Sequence, residues 1–276
     1  MNDSGKAIAR SVASTKTVVI TGAEGLVGTV LRQGLADRLR LVALTLTPQA
    51  YPSVVADIGQ IDALTPAFQG VDAVIHLAGA ADLQATWEEV VQHNIHGTRN
   101  VFEAARLAGV KSIIYASSGH VLSGEEEAAG SSLYDLEDPR VFDHLTPPRP
   151  DTPYAVSKLC GENIGRYYAE AHGLRVICVR LGLVLADDDP CSNSPGRGRS
   201  ARLPLAERYP RIRAKWLSHR DCCQLFLRCL EAEAVRWAVV FGTSNNPRQI
   251  WSLAEARRLL NFAPVDSAPE SPAPRP

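Results

Sequence analysis

One local feature limits this chain's folds more than any other. A short apolar strand, Thr17 to Thr21, runs straight into the glycine-spaced turn Gly22-Ala23-Glu24-Gly25-Leu26-Val27-Gly28, and a helical pattern follows to about Asp37. A strand that enters a helix through glycines is the first half of a β-α-β unit, and such units build parallel sheets. The alternation continues. Leu41 to Leu46, Ser53 to Ala56, Ala73 to Leu77, Lys111 to Ala116 and Arg175 to Leu181 read as further strands. Long helices are expected over Trp87 to Ala108 and Pro153 to His172. The pattern predicts an α/β fold with one doubly wound parallel sheet and no internal repeat.

Three segments break the alternation. Residues 120–150 are polar, carry Glu125-Glu126-Glu127 and end in a proline-rich stretch, whereas 186–215 begin with three aspartates and continue through a Ser/Gly/Arg loop. Both follow the carboxyl ends of strands, where open α/β sheets bind ligands, so they are expected to form the rim and lid of a substrate site. The alternative is two surface loops without a role. Residues 1–15 read as a flexible lead, 16–265 as a single domain, and 266–276 as a disordered Pro-rich tail.

Bulk properties exclude several classes. A net charge of −1 argues against a nucleic-acid partner. No apolar run approaches the roughly 20 residues of a membrane span. The N-terminus lacks the apolar core of an export signal, which points to the cytoplasm, and the six cysteines read as reduced thiols. No metal-ligand spacing is present, so no metal site is expected.

The glycine turn has a chemical reading. Gly22 permits the tight turn, Gly25 lets the backbone approach a pyrophosphate, and Gly28 allows close helix–strand packing. The phosphates then sit at a helix N-terminus with Leu26 and Val27, where free N–H groups favour negative charge. Position adds further contacts for a dinucleotide. Asp57-Ile58 closes the third strand, where a carboxylate can accept from an adenine amino group; Asp57 can equally cap the next helix. Leu77-Ala78-Gly79 ends the fourth strand with small residues beside the pyrophosphate. Thr45 stands at the end of the second strand, where an acidic residue would hold the ribose diol of NAD. Neither an Asp for NAD nor an adjacent Arg for NADP is there.

A second motif is Tyr154-Ala155-Val156-Ser157-Lys158, following Pro153 at the start of a helix. Positions i and i+4 share a face, so the phenol and the ammonium point into one space. A free tyrosine has a pKa of about 10, and a nearby cation lowers it toward the range of a useful base. The lysine can also bond ribose hydroxyls. Ser117-Ser118 end a neighbouring strand, where a hydroxyl can meet the same substrate oxygen, and Asn94 lies where it could hold the floor of a nicotinamide site.

The segments TGAEGLVG, HLAG, NIHGTRN, ASS and YAVSK, in this order, resemble the extended short-chain dehydrogenases/reductases over residues 16–185. That family has a Rossmann fold with a small C-terminal substrate-binding region, and it includes NAD-dependent sugar epimerases, dehydratases and dehydrogenases. The resemblance implies that Tyr154 takes a proton from a substrate hydroxyl and Ser118 holds that oxygen. It further implies that Lys158 tunes Tyr154 and anchors the ribose, while hydride passes to NAD (NADP remains open).

ASSGH, RPDTPYAVSK, VRLG, KWLSHRD and VVFGTSNN resemble the uronate dehydrogenases, short members that oxidise the anomeric carbon of a hexuronic acid to a lactone. From that likeness His120 and Arg211 are the expected substrate-binding residues, with Arg211 on the sugar carboxylate. The chain departs from that group at Ala81, Gly119 and Leu183, where polar groups surround the sugar. The carboxylates at 125–127 are expected as a solvated run, which would repel an anionic sugar if it lined the site. The expected partner is a sugar or sugar acid. An epimerase or carbonyl reductase, and a nucleotide-sensing regulator without chemistry, are the rivals. The resemblance also implies a homodimer through helices 87–108 and 153–172, with Val101, Ala105, Ile164 and Tyr168 outward.

Overall fold

The computed structural model describes residues 16–191 and 204–270. The expected lead, the middle of the 186–215 segment and residues 271–276 lie outside them. Seven parallel strands form the sheet: β1 (Thr17–Thr21), β2 (Arg40–Thr45), β3 (Ser53–Val55), β4 (Ala73–His76), β5 (Ser112–Ser118), β6 (Arg175–Leu181) and β7 (Trp237–Gly242). Their spatial order is β3-β2-β1-β4-β5-β6-β7, so the direction of winding reverses between β1 and β4. A crevice opens at the carboxyl ends of strands where the order reverses.

Both faces of the sheet are covered, as parallel sheets require. Val18 and Ile20 of β1 pack into one apolar cluster and Val19 into the other. Ile177 and Val179 of β6 divide from Val176 and Cys178 in the same way. The first face is covered by α1 (Leu26–Gly34) and α8 (His219–Glu231), which supplies Cys222, Leu225, Phe226 and Cys229. The second is covered by α2 (Ile61–Ala67), α4 (Gly97–Leu107) and α6 (Pro153–His172).

Local chemistry sets the ends of α6. The Thr152 hydroxyl accepts from Ala155 N at 3.1 Å, Pro153 takes the first turn, and Gly173 closes the helix at φ 69°. The helix expected over 87–108 is one continuous path with an irregular start. It opens with α3 (Trp87–Glu89), capped by reciprocal Thr86–Glu89 bonds, and widens to a π-helix over Val90–His96 before α4. There Gly97 N–H donates to Gln92 O, five residues back.

Several expectations need correction. Val101, Ala105 and Tyr168 do not face outward; they are buried in the core against the sheet. The exposed apolar residues on these helices are Trp87, Val91, Leu107 and Tyr167. The stretch 120–150 carries more regular structure than a loop. It forms α5 (Ser123–Ala129) and is stitched down by Phe142 N–H to Ile250 O (2.9 Å) and Ser252 N–H to Phe142 O (2.8 Å). Arg248 donates to Leu133 O at 2.7 Å and Arg140 O at 2.6 Å. Residues 205–215, expected as loop, are helix α7 (Leu205–Lys215). The start of the expected tail is packed: Ser218 Oγ donates to Asp266 at 2.6 Å, and Ala268 is buried with its N–H on Asn246.

Candidate active site

A cleft of ≈ 690 Å³ runs along the carboxyl edge of the sheet, and a smaller cavity of ≈ 280 Å³ adjoins it. Leu83, His120 and Arg211 line both. The cleft gathers Gly22, Gly25, Leu26, Val27, Gly28, Thr45, Asp57, Ile58, Leu77, Ala78, Gly79, Tyr154 and Lys158 of the residues expected around a dinucleotide, with Ser118 beside them; Asn94 of that set is not on its lining.

The β1–α1 turn is built for close approach. Gly22 has φ 68°, and a Cβ there would sit 2.8 Å from Ala78 N. A Cβ on Gly28 would lie 2.5 Å from Gly22 O. No side chain caps α1 at Gly25, and its first turn carries no acid, so its N–H groups remain available at the cleft. These features fit a pyrophosphate.

The facing turn after β4 is held from below. His76 is fully buried between Thr21 Oγ1 (2.8 Å from Nδ1) and Thr98 Oγ1 (3.0 Å from Nε2). Thr21 Oγ1 already accepts from Leu77 and Ala78 N–H, both at 3.2 Å, so its own proton goes to Nδ1. Nε2 therefore carries the ring proton and donates to Thr98. Burial, and then the Lys158 charge, lower the His76 pKa to about 3, so the ring is neutral near pH 7.

Asn94, on the π-helical stretch, does something more specific than the expected floor. Its side chain accepts from Ala80 N–H (2.6 Å) and donates to Ala80 O (3.0 Å) and Ser157 Oγ (2.8 Å). It thereby ties the β4 turn to the helix that carries Tyr154 and Lys158. At the adenine end, Asp57 accepts from Gly59 N–H at 2.8 Å, which makes it a turn residue as well as a cleft residue. Thr45 donates to Thr47 O at 2.8 Å.

Ser118, Tyr154 and Lys158 meet where the two cavities join. Ser118 bonds the Tyr154 hydroxyl, which works against the burial that raises the phenol's pKa. Lys158 Nζ donates to Ala116 O at 2.9 Å and lies 5.7 Å from the Tyr154 ring centroid. Burial lowers its pKa to about 8. The lysine does not depress the phenol here; burial is the largest effect on both groups. His120 packs edge-on to Tyr154 at 6.3 Å between centroids. Burial, then Lys215 and Arg211, lower its pKa to about 3.

Beneath this junction lies a buried ion pair. Arg180 donates to both oxygens of Glu162 at 2.8 and 2.9 Å, and Ser117 Oγ donates to Glu162 Oε1 at 2.6 Å.

The carboxylates at 125–127 are not a uniformly solvated run. Glu126 is buried, bonded to Lys215 and Tyr134 (2.8 Å), and lies 3.5 Å from Arg211 Nη2. Lys215 was not anticipated, although its i+4 spacing from Arg211 on a helix was a readable signal. Trp251, also unanticipated, lines the cleft and explains Gly119: a Cβ at 119 would fall 2.1 Å from its ring. Ala81 and Leu183 also line the cleft. Among the described residues no group of three or more His, Cys, Asp or Glu is placed to hold a metal, and no helix is long and apolar enough to cross a membrane.

Residues 18–204 match the model of the NAD dependent epimerase/dehydratase family. The chain is 36% identical to the L-arabinose 1-dehydrogenase (NAD(P)(+)) of Haloferax volcanii, over 91% of this chain and 97% of that one. It is 33% identical to the NAD-dependent glucose-6-phosphate dehydrogenase of the same organism, over 92% and 94%. Among solved structures, uronate dehydrogenase from Agrobacterium tumefaciens superposes with a TM-score of 0.75 at 28% identity, covering 96% of this chain and 92% of that chain.

Proposed function

The chain belongs to the NAD dependent epimerase/dehydratase family, and from that premise we propose that it is an NAD-dependent sugar dehydrogenase, oxidising the anomeric hydroxyl of a cyclic sugar to the lactone. The observation that carries this reading is the meeting of Ser118, Tyr154 and Lys158 where the dinucleotide cleft opens into a second, polar cavity. NAD, when bound, supplies the hydride acceptor.

The chain's own groups do the rest. The uncapped N-terminus of α1 and the glycines of its turn hold the phosphates, with Leu77, Ala78 and Gly79 closing the opposite side. Thr45, Asp57 and Ile58 line the adenosine end. Ser118 holds the sugar oxygen beside Tyr154, and Tyr154 removes its proton. Lys158 stands beside the phenol, 5.7 Å from its ring centroid, and reaches the ribose. Asn94 acts as a positioning residue, since its bonds run to Ala80 and Ser157. His120 and Arg211 stand at the mouth of the sugar cavity.

For assembly we infer a homodimer, supported by Trp87, Val91 and Tyr167, which are exposed on the two long helical stretches. The six free cysteines are consistent with a reducing compartment such as the cytoplasm.

The test is absorbance of reduced nicotinamide with purified protein, NAD and a panel of aldoses, uronates and sugar phosphates. Sustained NADH formation is expected, and Tyr154→Phe should abolish it while sparing NAD affinity. An epimerase would show no net reduction of NAD. Unchanged turnover in the variant would remove Tyr154 from the chemistry.

A further inference from the structure

The end of β2 carries Thr45 where an acid would hold the adenosine ribose of NAD. A carboxylate reaches the same corner from another element. Glu24, in the turn between β1 and α1, lines the cleft together with Thr45 and Leu46. β1 and β2 pair in parallel with Thr21 opposite Leu44, so the chain leaves both strands side by side. Gln49 joins the two segments. Its Nε2 donates to Glu24 Oε1 at 3.2 Å, and to Thr47 O and Oγ1 at 3.2 and 3.1 Å. Thr45 Oγ1 donates to that same Thr47 O at 2.8 Å. The Glu24 carboxylate is thereby tethered at the end of β2. It is exposed, so a ligand in the cleft can reach it.

The hydrogen bonds of this corner suit a hydroxyl and oppose a phosphate. An amide nitrogen has two protons, and Gln49 directs its pair at acceptors within the corner. The single proton of the Thr45 hydroxyl is on Thr47 O. Arg32, the cation bonded to this turn, is not on the cleft lining. Its Nε donates to Ala23 O at 2.9 Å, and its guanidinium lies 3.7 Å over the centre of the Tyr51 ring. An ionised carboxylate only accepts. It can therefore take the proton of a ribose 2′-hydroxyl, whereas a 2′-phosphate would meet it with oxygens of like charge.

We infer that Glu24 takes the place of the missing acid of β2, accepting the adenosine 2′-hydroxyl of NAD and excluding the 2′-phosphate of NADP. The glycine turn then supplies the choice of dinucleotide as well as the phosphate cradle. The inference rests on the NAD-binding reading and names the side chain that selects between the two cofactors.

NADH and NADPH differ only in that phosphate, so each is titrated into the protein without sugar and followed by nicotinamide fluorescence. NADH should bind at least about tenfold tighter, the scale of one hydrogen bond to a charged group. Glu24→Gln keeps the size and an acceptor oxygen but removes the charge. NADPH should gain, and the ratio of the two dissociation constants should shrink at least about threefold. Glu24→Lys should invert it. Melting curves show whether the variants are folded. Should they not be, the salt dependence of the wild-type ratio decides, because a ratio set by like charges near the surface shrinks between about 0.01 and 1 M salt. Equal or tighter binding of NADPH by the wild type, or a ratio unmoved in folded Glu24→Gln, overturns the inference and leaves dinucleotide binding intact. If neither nucleotide binds, the NAD reading itself fails and the inference falls with it.

Discussion

The Glu162–Arg180 pair offers the sharpest test of how the site is supported. Both side chains are about 95% buried: their exposures are 5% and 3%. A guanidinium is not deprotonated in proteins. Arg180 makes two bonds to Glu162, at 2.8 and 2.9 Å, while its Nη1 is buried without a partner. Glu162→Ala therefore leaves a guanidinium in the interior with its charge uncompensated, and it also takes the acceptor from Ser117. Breaking one side of a buried pair costs about 3–5 kcal/mol, a large part of the roughly 5–15 kcal/mol that holds a domain together. With a urea m-value near the top of the range of about 1–3 kcal/mol/M, the midpoint should fall by roughly 1–2 M at constant m. The double variant Glu162→Leu/Arg180→Met removes both charges, so it should recover most of the loss, because a well-packed apolar pair often matches a buried ion pair. A midpoint shift corresponding to less than about 1 kcal/mol for the single variant, or a double variant as unstable as the single, would refute the argument.

Three further outcomes follow from the geometry. Gly119→Ala places a Cβ 2.1 Å from the Trp251 ring, so it should cost about 1–3 kcal/mol and several degrees of Tm; an unchanged melting curve would show that the indole moves freely. His76 has a folded pKa of about 3 against 6.5 unfolded, so only the unfolded chain binds its proton between these values. Stability is complete above about pH 6.5 and falls as pH drops, by up to about 1.4 kcal/mol per unit for this group. His76→Gln should flatten the urea-midpoint profile between pH 6.5 and 4, and parallel profiles would contradict this. The rate of NADH formation should rise tenfold per pH unit up to about pH 8, where Lys158 loses its proton, and then level off; a continued tenfold rise to pH 10 would mean that Tyr154 titrates alone.

What the sequence disclosed, and what it hid, divides by range of interaction. The β1–α1 turn was legible because Gly22, Gly25 and Gly28 answer to contacts within a few residues and to one neighbouring strand. The ends of α6 were legible for the same reason: Thr152, Pro153 and Gly173 act locally. The π-helical stretch was not, since nothing in VVQHNIH distinguishes its hydrogen bonds from those of an α-helix. The bonds Asn94 makes from that stretch to Ala80 and Ser157 are therefore not legible in the sequence. Glu126 was misread because it stands between two other glutamates, and its burial depends on Lys215, 89 residues later. Val101, Ala105 and Tyr168 were assigned outward by analogy with a dimer face, whereas the sheet claims them. Asp266 was lost to composition: its proline-rich setting resembles a tail, yet Ser218 and Arg220 hold it.

The distribution of charge gives the two halves of the site different physical tasks. On the dinucleotide side, the glycine turn offers backbone N–H groups and carries no lysine or arginine, so an anion there would meet partial positive charges rather than a full one. At the junction, burial pushes Tyr154 toward the neutral phenol and Lys158 toward the neutral amine. The site thus opposes either charge alone. Phenolate and ammonium together carry no net charge and differ from phenol and amine only by the place of one proton. Between the two pKa values, their ratio does not change with pH, and the pair titrates as a unit. Below about pH 8 a proton must leave the pair before the phenolate can form, and this fixes the acid side of the rate profile. Full charges gather on Glu126, Arg211 and Lys215, two cations around one buried carboxylate.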